Sequence, residues 1–528
     1  MIKRTELVKR NGVFIRKILG LFKLLHGLFL WYKRERAFRS FLNNIKDHSI
    51  NSTSSDEILV VIQPWHLTPF PWYLIVLAIK FHFYGKTVCI VWDDTGFGID
   101  KWYVRLEQKS IHHVIERIPK YIKCIRLSQC SKSENNMPSS FQVEHLVRKN
   151  KTIRYRGEFY PNKSEQFTME AEKTLKNTAC HIHSLLDNLR PSYIIIAGGG
   201  YGASGIWIDL AKAMNIRVAS IDAGFSILVL STDGIAANLD DIPRAFKLLL
   251  KEDDFWIIAE AQAELKRRML GEDQSALQTV KSTGGLSNFG VLLPLNLSND
   301  LSALERHRVF KNQTEWMLET VEWVLNNSFE KIVIRRHPVE RFPKFASNDD
   351  YLKCIKSKFG NNERIRFVDS KTAINTYDLI EKAKVVVPYV STVGIEAAAL
   401  GKIVVTEGDS CYANLGFVWG AQNREEYFEF LNKAINGELK ITEKQQADAW
   451  RCYYLTQCCN WHHTIFTPQP SDFDKWVVEN PEVLLAKEEV LVILDAIEKN
   501  VPLAILLHNK KKKSRATEVK NAKRPNIS

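Results

Sequence analysis

The chain has 528 residues, 45% hydrophobic and 25% charged, enough to bury two or more cores, which excludes a disordered chain or a small disulfide-stapled scaffold. The net charge of +13 sits at the ends: residues 1–40 carry +9 and residues 509–528 carry +7, leaving −3 for the body. That distribution argues against a nucleic-acid groove and directs the two basic arms toward an anionic membrane surface.

Residues 1–50 read as an arm. Phe14, Ile18, Leu21, Leu25, Leu28 and Tyr32 recur at helical spacing, with Arg16, Gly20, Lys23, Gly27 and Arg34 on the other side, which predicts one amphipathic helix. Three cations within residues 13–32 suit an interfacial helix better than a bilayer span. Tyr32-Lys33-Arg34-Glu35-Arg36 stands where a signal peptide needs small residues, so the arm is expected to be retained. The alternative is a helix packed on the protein's own body.

From residue 58 the chain alternates strand and helix: strand 58–62, helix 72–84 and strand 87–92, then a less patterned stretch over 108–188. Order returns with strand 193–197, a glycine loop, a helix to 214, strand 217–221 and a helix over 254–270. Ser282-Thr283-Gly284-Gly285-Leu286-Ser287 marks the boundary between a first Rossmann-like domain, 51–285, and a second, 286–470. The second restarts the rhythm with strand 291–293, helix 312–325, strands 331–335 and 365–368, helix 377–383, strand 385–388, helix 392–400 and strand 403–406. A closing helical region follows over 471–508, and Lys510 to Lys513 open a polar tail, 509–528, expected to be disordered. Nine scattered cysteines fit a reducing cytoplasm, and Cys458, Cys459, His462 and His463 lack the spacing of a zinc site, so no metal is expected.

Ligands of open α/β sheets gather at the carboxyl ends of strands. One such loop is Arg335-Arg336-His337-Pro338, in which Arg336 and His337 can hold or protonate a phosphate while Pro338 ends the strand. Another is Ser391-Thr392-Val393-Gly394-Ile395-Glu396: Ser391 or Thr392 can cap a helix whose free N–H groups offer a phosphate site. Small residues such as Gly394 let that helix lie close to the sheet, and Glu396 could reach a ribose hydroxyl. Glu407-Gly408-Asp409-Ser410 is too generic to assign.

In the first domain, Gly200-Tyr201-Gly202-Ala203-Ser204-Gly205 is a formal G-x-G-x-x-G, with Asp222 after the next strand. It suits either a dinucleotide or a tight turn beside an acceptor cleft. Three carboxylate turns compete for a general base: Asp93-Asp94-Thr95-Gly96, Asp222-Ala223-Gly224-Phe225 and Thr232-Asp233-Gly234. Each is also an ordinary turn sequence.

Over about 289–417, His337-Pro338 followed by Ser391-Thr392-Val393-Gly394-Ile395-Glu396-Ala397 resembles the second domain of bacterial capsule polysaccharide biosynthesis transferases. That group contains β-Kdo transferases and is related to bacterial sialyl- and polysialyltransferases. The resemblance weakens over 58–241. It implies a GT-B fold, two Rossmann-like domains facing a cleft, and inverting, metal-independent transfer of an acidic sugar from a CMP donor such as CMP-Kdo, with no further cofactor. It puts His337, Ser391 and Thr392 on the CMP phosphate. Asp222-Ala223-Gly224 looks like the family's acidic D/E-D/E-G motif without its middle acid, so Asp222 ranks first as the base, Asp233 second, and Asp93 or Asp94 third. A lipid-linked or growing polysaccharide is the implied acceptor, met at the inner face of the cytoplasmic membrane. The rival readings are an NAD-dependent oxidoreductase using Gly200, Gly202, Gly205 and Asp222, and a polysaccharide-assembly scaffold without catalysis.

Overall fold

The computed structural model describes residues 2–45, 57–65, 67–95, 102–132, 137–161, 164–200, 202–224, 226–249, 255–272 and 287–522. Two sheets organise the chain. The first contains β1 (Glu57–Ile62), β2 (Thr87–Trp92), β3 (Lys123–Arg126), β4 (Tyr193–Ala197), β5 (Arg217–Gly224) and β6 (Ile227–Ser231). The second contains β7 (Phe289–Pro294), β8 (Ile332–Arg335), β9 (Ile365–Val368), β10 (Ala383–Val386), β11 (Ile403–Thr406) and β12 (Trp419–Gly420), and β13 (His462–His463) returns to the first.

The first sheet runs β13-β6-β5-β4-β1-β2-β3 and is parallel from β3 to β5, with β6 and β13 antiparallel. The second runs β12-β11-β10-β7-β8-β9 and is parallel throughout. Alternate residues of each central strand enter different cores: Ile58, Val60 and Ile62 on one face, Leu59 and Val61 on the other. Both faces are covered, which is why these strands are continuous apolar runs. Two such domains facing a cleft form the expected GT-B arrangement.

The expected division at 285 does not follow the cores. Residues 273–286, including most of the Gly/Ser-rich break, lie outside the described residues. The helices Ile242–Leu249 and Phe255–Met269 bury Phe246, Leu249, Ile257 and Ala261 against Phe289, Leu292 and Val386 of the second sheet. At the other end the chain crosses back before residue 471: β13 pairs with β6, and Phe466, Phe473, Trp476 and Ile493 join the first-domain core.

Through residue 522 the lysine-rich tail differs from the expectation of disorder, and residues 523–528 lie outside the described residues. A helix spans Leu503–Ala522. Its apolar start is anchored by Leu503 and Ala504, Lys510 pairs with Glu488 at 3.0 Å, and Lys511 reaches Glu260 and the Cys458 carbonyl. Carboxylates on neighbouring elements neutralise the charge that would otherwise favour a solvated chain.

The arm forms one helix, Ile2–Asn43. Its C-terminal part follows the alternative reading, a helix packed on the protein's own body. Trp31 stacks on Trp72 at 4.1 Å, Phe38 and Phe41 pack on Phe473 and Trp476, and Arg34 grips Asp474 with two 2.7 Å bonds. On the opposite side Phe22, Leu25, Phe29 and Tyr32 remain 65%, 51%, 65% and 62% exposed. The side chains of Phe14, Ile18 and Leu21 lie outside the described residues. No described helix is long and apolar enough to cross a membrane.

One first-domain segment ties the two domains together. The Glu158 carboxylate caps the helix Gln313–Asn327 of the second domain, accepting from Gln313 N, Thr314 N and Thr314 Oγ1. In return Asp349 accepts from the amides of Glu158 and Phe159 at 2.8 and 3.1 Å. Gly157 sits at φ +157°, and a Cβ there would fall 2.4 Å from the Asp349 carboxylate, so only glycine admits this approach.

Candidate functional site

The second domain holds a pocket lined by Arg268, Pro294, Leu295, Arg335, His337, Pro338, Thr376, Tyr377, Ser391, Thr392, Val393 and Glu396. It lies at the carboxyl ends of β7, β8 and β10, where a parallel sheet leaves room between diverging loops. Of the expected nucleotide-side residues, His337, Pro338, Ser391, Thr392 and Glu396 meet there.

His337 caps the short turn Pro338–Arg341, its Nδ1 accepting the Val339 N–H at 3.2 Å. An imidazole nitrogen that accepts carries no proton, so the neutral ring holds its proton on Nε2. Burial pushes the His337 pKa below its ordinary value. The result is a neutral ring with an N–H donor, suited to a phosphate oxygen.

The other loop departs from expectation in three respects. The helix Val393–Ala399 does not begin with free amides: Val393 N donates to Ser391 Oγ, and Gly394 N and Ile395 N donate to the carbonyls of Ser391 and Thr392. Phosphate binding by bare amides at this turn is therefore reduced to what the Ser391 and Thr392 side chains offer. Glu396 is buried and faces protein groups, accepting from Tyr377 Oη at 2.9 Å and lying 3.5 Å from Arg268 Nε, so it balances an arginine rather than reaching for ribose. Gly394 does not line the pocket; a Cβ there would stand 2.3 Å from Tyr412 Oη, the group that donates to the Ser391 carbonyl and fixes the loop.

Arg336 is turned away, locked in an ion pair with Glu340 at 2.7 Å and bonded to Ser347. Arg335 takes its expected place. Strand alternation provides the signal: residues two apart share a face, so Arg335 goes with His337 and Arg336 does not.

Across the cleft, Asp222 lies just past the last β4 partner, Ala197↔Ile221, near the carboxyl edge of the first sheet. β5 does not stop there but continues to Gly224 and pairs back with β6, while Phe225 lies outside the described residues. Burial pushes the Asp222 pKa up to about 6 despite a hydrogen bond from Ala223 N, and the charge of Asp300 adds to the rise. Asp300, from the loop after β7, also acts on His337. The charge of Asp300 thus acts on both Asp222 and His337.

The remaining first-domain candidates are held elsewhere. Asp233 is exposed by the amino end of β5: its neighbour Gly234 N bonds the Val218 carbonyl, and Arg217 feels its charge. Four residues of strand put it about 13 Å from Asp222, on the wrong edge. Asp93 is fully buried, accepting from Gln63, Trp207 and Thr95, and Asp94 is occupied by Arg126 and Ser128. Neither has a carboxylate oxygen free for an acceptor hydroxyl. The start of the helix Gly202–Ala213 is also covered, because Gly202 N donates to Asn150 Oδ1 and a Cβ on Gly205 would meet Leu146 at 2.6 Å. Gly200 is buried beside it, Tyr201 lies outside the described residues, and the dinucleotide reading loses its pyrophosphate site. Cys458 and Cys459 lie in a π-helical turn while His462 bonds the Glu489 carbonyl; no three potential ligands among the described residues converge on a metal position.

Every polar residue of the second-domain pocket lies between 268 and 396. Residues 244–434 match the capsule polysaccharide biosynthesis protein family. The match begins inside the helix Ile242–Leu249, where the second-domain core also begins, and leaves Asp222 outside. Over 122 residues the chain is 30% identical to Protein FixF of Sinorhizobium fredii, a stretch covering 23% of this chain and 27% of that protein. The chain thus spans about a quarter of that relative's length. Among solved structures, KpsC of Thermosulfurimonas dismutans, a β-Kdo 2,4 transferase, aligns at 15% identity over 49% of this chain and 79% of its own, with a TM-score of 0.33. MurG of Acinetobacter baumannii aligns at 9% identity over 80% and 98%, with a TM-score of 0.25.

Arg268, Thr376 and Tyr377 complete the family segment's pocket and have no local motif. Arg268 comes from the last turn of a helix nearly 70 residues before His337, and only the packing of that helix against the second sheet brings it in.

Proposed function

We propose that the protein is an inverting, metal-independent glycosyltransferase of capsule or surface polysaccharide synthesis, using a CMP-activated acidic sugar such as CMP-Kdo. The observation that carries this reading is the pairing of an Nε2–H donor on His337, in a pocket with two arginines, with a carboxyl raised to about 6 on the facing domain. The acceptor hydroxyl gives its proton to Asp222 while its oxygen bonds the anomeric carbon. The bond from that carbon to the phosphate breaks, and its electron pair leaves with the nucleotide. His337 then donates to a phosphate oxygen whose negative charge is growing, and Arg268 and Arg335 supply positive charge beside it.

A melting panel with CMP, UDP, GDP and NAD tests the reading. CMP is expected to stabilise the fold by about 2.7 kcal/mol at a hundredfold excess over its Kd, with the others close to baseline. Stabilisation by NAD alone would restore the oxidoreductase reading.

The acceptor, lipid-linked or a growing polysaccharide, would be met at the inner face of the membrane. Phe22, Leu25, Phe29 and Tyr32 form one open stripe on the arm helix at spacings of three, four and three, flanked by exposed Lys33 and Arg36. Replacing Phe22, Leu25 and Phe29 with Ser removes apolar area that no core uses. Co-sedimentation with phosphatidylglycerol vesicles is expected to fall roughly tenfold or more, and added salt to weaken what remains. Unchanged co-sedimentation would remove the membrane from the proposal.

A further inference from the structure

Arg335 is a buried cation with no direct ion pair among the described residues. It is 3% exposed, and its Nη1 and Nη2 donate to the carbonyls of Asp369 and Ile374 at 2.5 and 3.3 Å, whereas its Nε has no partner among the described residues. No carboxylate pairs with it among the described residues, in contrast to Arg268 beside Glu396 and Arg336 on Glu340. Burial pushes its pKa down to about 10, and the charge of Asp369 offsets that only in part. Such a group is costly to keep unless something anionic visits it. The pocket that Arg335 lines opens onto His337, Ser391 and Thr392.

We infer that Arg335 is the anion anchor of this pocket, its unpartnered Nε–H and buried guanidinium receiving one oxyanion of the bound substrate. The two backbone carbonyls fix the guanidinium plane and leave one donor edge. The oxyanion is either the donor phosphate or the carboxylate of an acidic sugar. This assignment rests on the pocket being the donor site, but it makes a separate claim, because a pocket could bind nucleotide through His337 alone.

The experiment titrates full-length wild type, Arg335→Met and Arg335→Lys with inorganic phosphate, cytidine, CMP and CMP-Kdo, by calorimetry and by melting. Arg335→Lys keeps the charge without the planar fork, and it carries the test if the Met variant fails to fold. The wild type is expected to bind CMP, and both substitutions to weaken it about 10- to 100-fold while cytidine binding stays unchanged. That result assigns the phosphate. Unchanged CMP with weakened CMP-Kdo assigns the sugar carboxylate. If inorganic phosphate stabilises the wild type in an Arg335-dependent way and CMP does not, the anion anchor stands and the CMP reading falls. If no probe distinguishes the variants from wild type, Arg335 is only a tie between two loops and the inference is overturned.

Discussion

Asp222→Asn is expected to lower sugar transfer from CMP-Kdo by about 10²–10⁴-fold while CMP binds as it does to the wild type. The two effects separate because Asp222 lies on the first domain and the pocket of His337 on the second. Asn fills the same space and accepts the Ala223 N–H through its carbonyl, so the loss falls on proton acceptance. The pH profile gives a second reading. With the carboxyl raised to about 6 by burial, the wild-type rate falls as pH drops through 6, since a protonated acid cannot take the acceptor's proton. Asp300→Asn removes a neighbouring negative charge, which lets Asp222 ionise more easily and moves that limb to lower pH. Asp233→Asn, on the opposite sheet edge, is expected to transfer normally. A wild-type rate in Asp222→Asn would leave this protein without its proposed base, and normal nucleotide binding with no transfer in wild type would favour the scaffold.

What the sequence disclosed follows from how each element is buried. β1 and β4 lie between two covered faces, so Leu59–Ile62 and Ile194–Ile196 are unbroken apolar runs that no amphipathic pattern can imitate. β3 is the counter-example: Lys123–Arg126 is a mostly exposed edge strand with polar ends, and it pairs with β2 without any period to read. The domain boundary was misplaced because a Gly/Ser-rich stretch signals a break in the chain, whereas domain membership is decided by which sheet a helix covers. Helix Phe255–Met269 precedes that stretch and still packs on the second sheet.

The candidate site divides in the same way. His337, Ser391 and Thr392 were legible because strand-end loops in a parallel sheet converge, and their motifs sit on such loops. Arg336 was preferred over Arg335 by proximity to His337, and strand alternation reverses that order. Asp93 follows β2 and Asp222 lies near the end of β5, and local sequence cannot separate them. The difference is made by Gln63 and Trp207, which consume Asp93 from two other elements, while among the described residues Asp222 accepts a hydrogen bond from Ala223 N on one oxygen only.

His337→Ala is expected to weaken CMP binding by about 10- to 150-fold, the equivalent of losing one hydrogen bond to a charged group at about 1.5–3 kcal/mol. The fold should survive, because the ring is half-buried at a pocket wall and its one internal bond among the described residues, from Val339 N, belongs to a single short turn. Affinity should stay nearly flat from pH 7 to 8.5, since burial keeps the ring neutral there and the Nε2–H donor is already in place. Below about pH 6 two effects oppose each other: protonation adds charge attraction for the phosphate, but a second N–H on Nδ1 breaks the bond to Val339 that orients the ring. His337→Gln can still present an N–H to the phosphate and is expected to recover part of the loss, whereas His337→Phe fills the space without a donor and should resemble Ala. Equal CMP affinity in wild type, Ala and Phe by calorimetry would show that His337 does not touch the phosphate, and would leave Arg268 and Arg335 to hold the nucleotide.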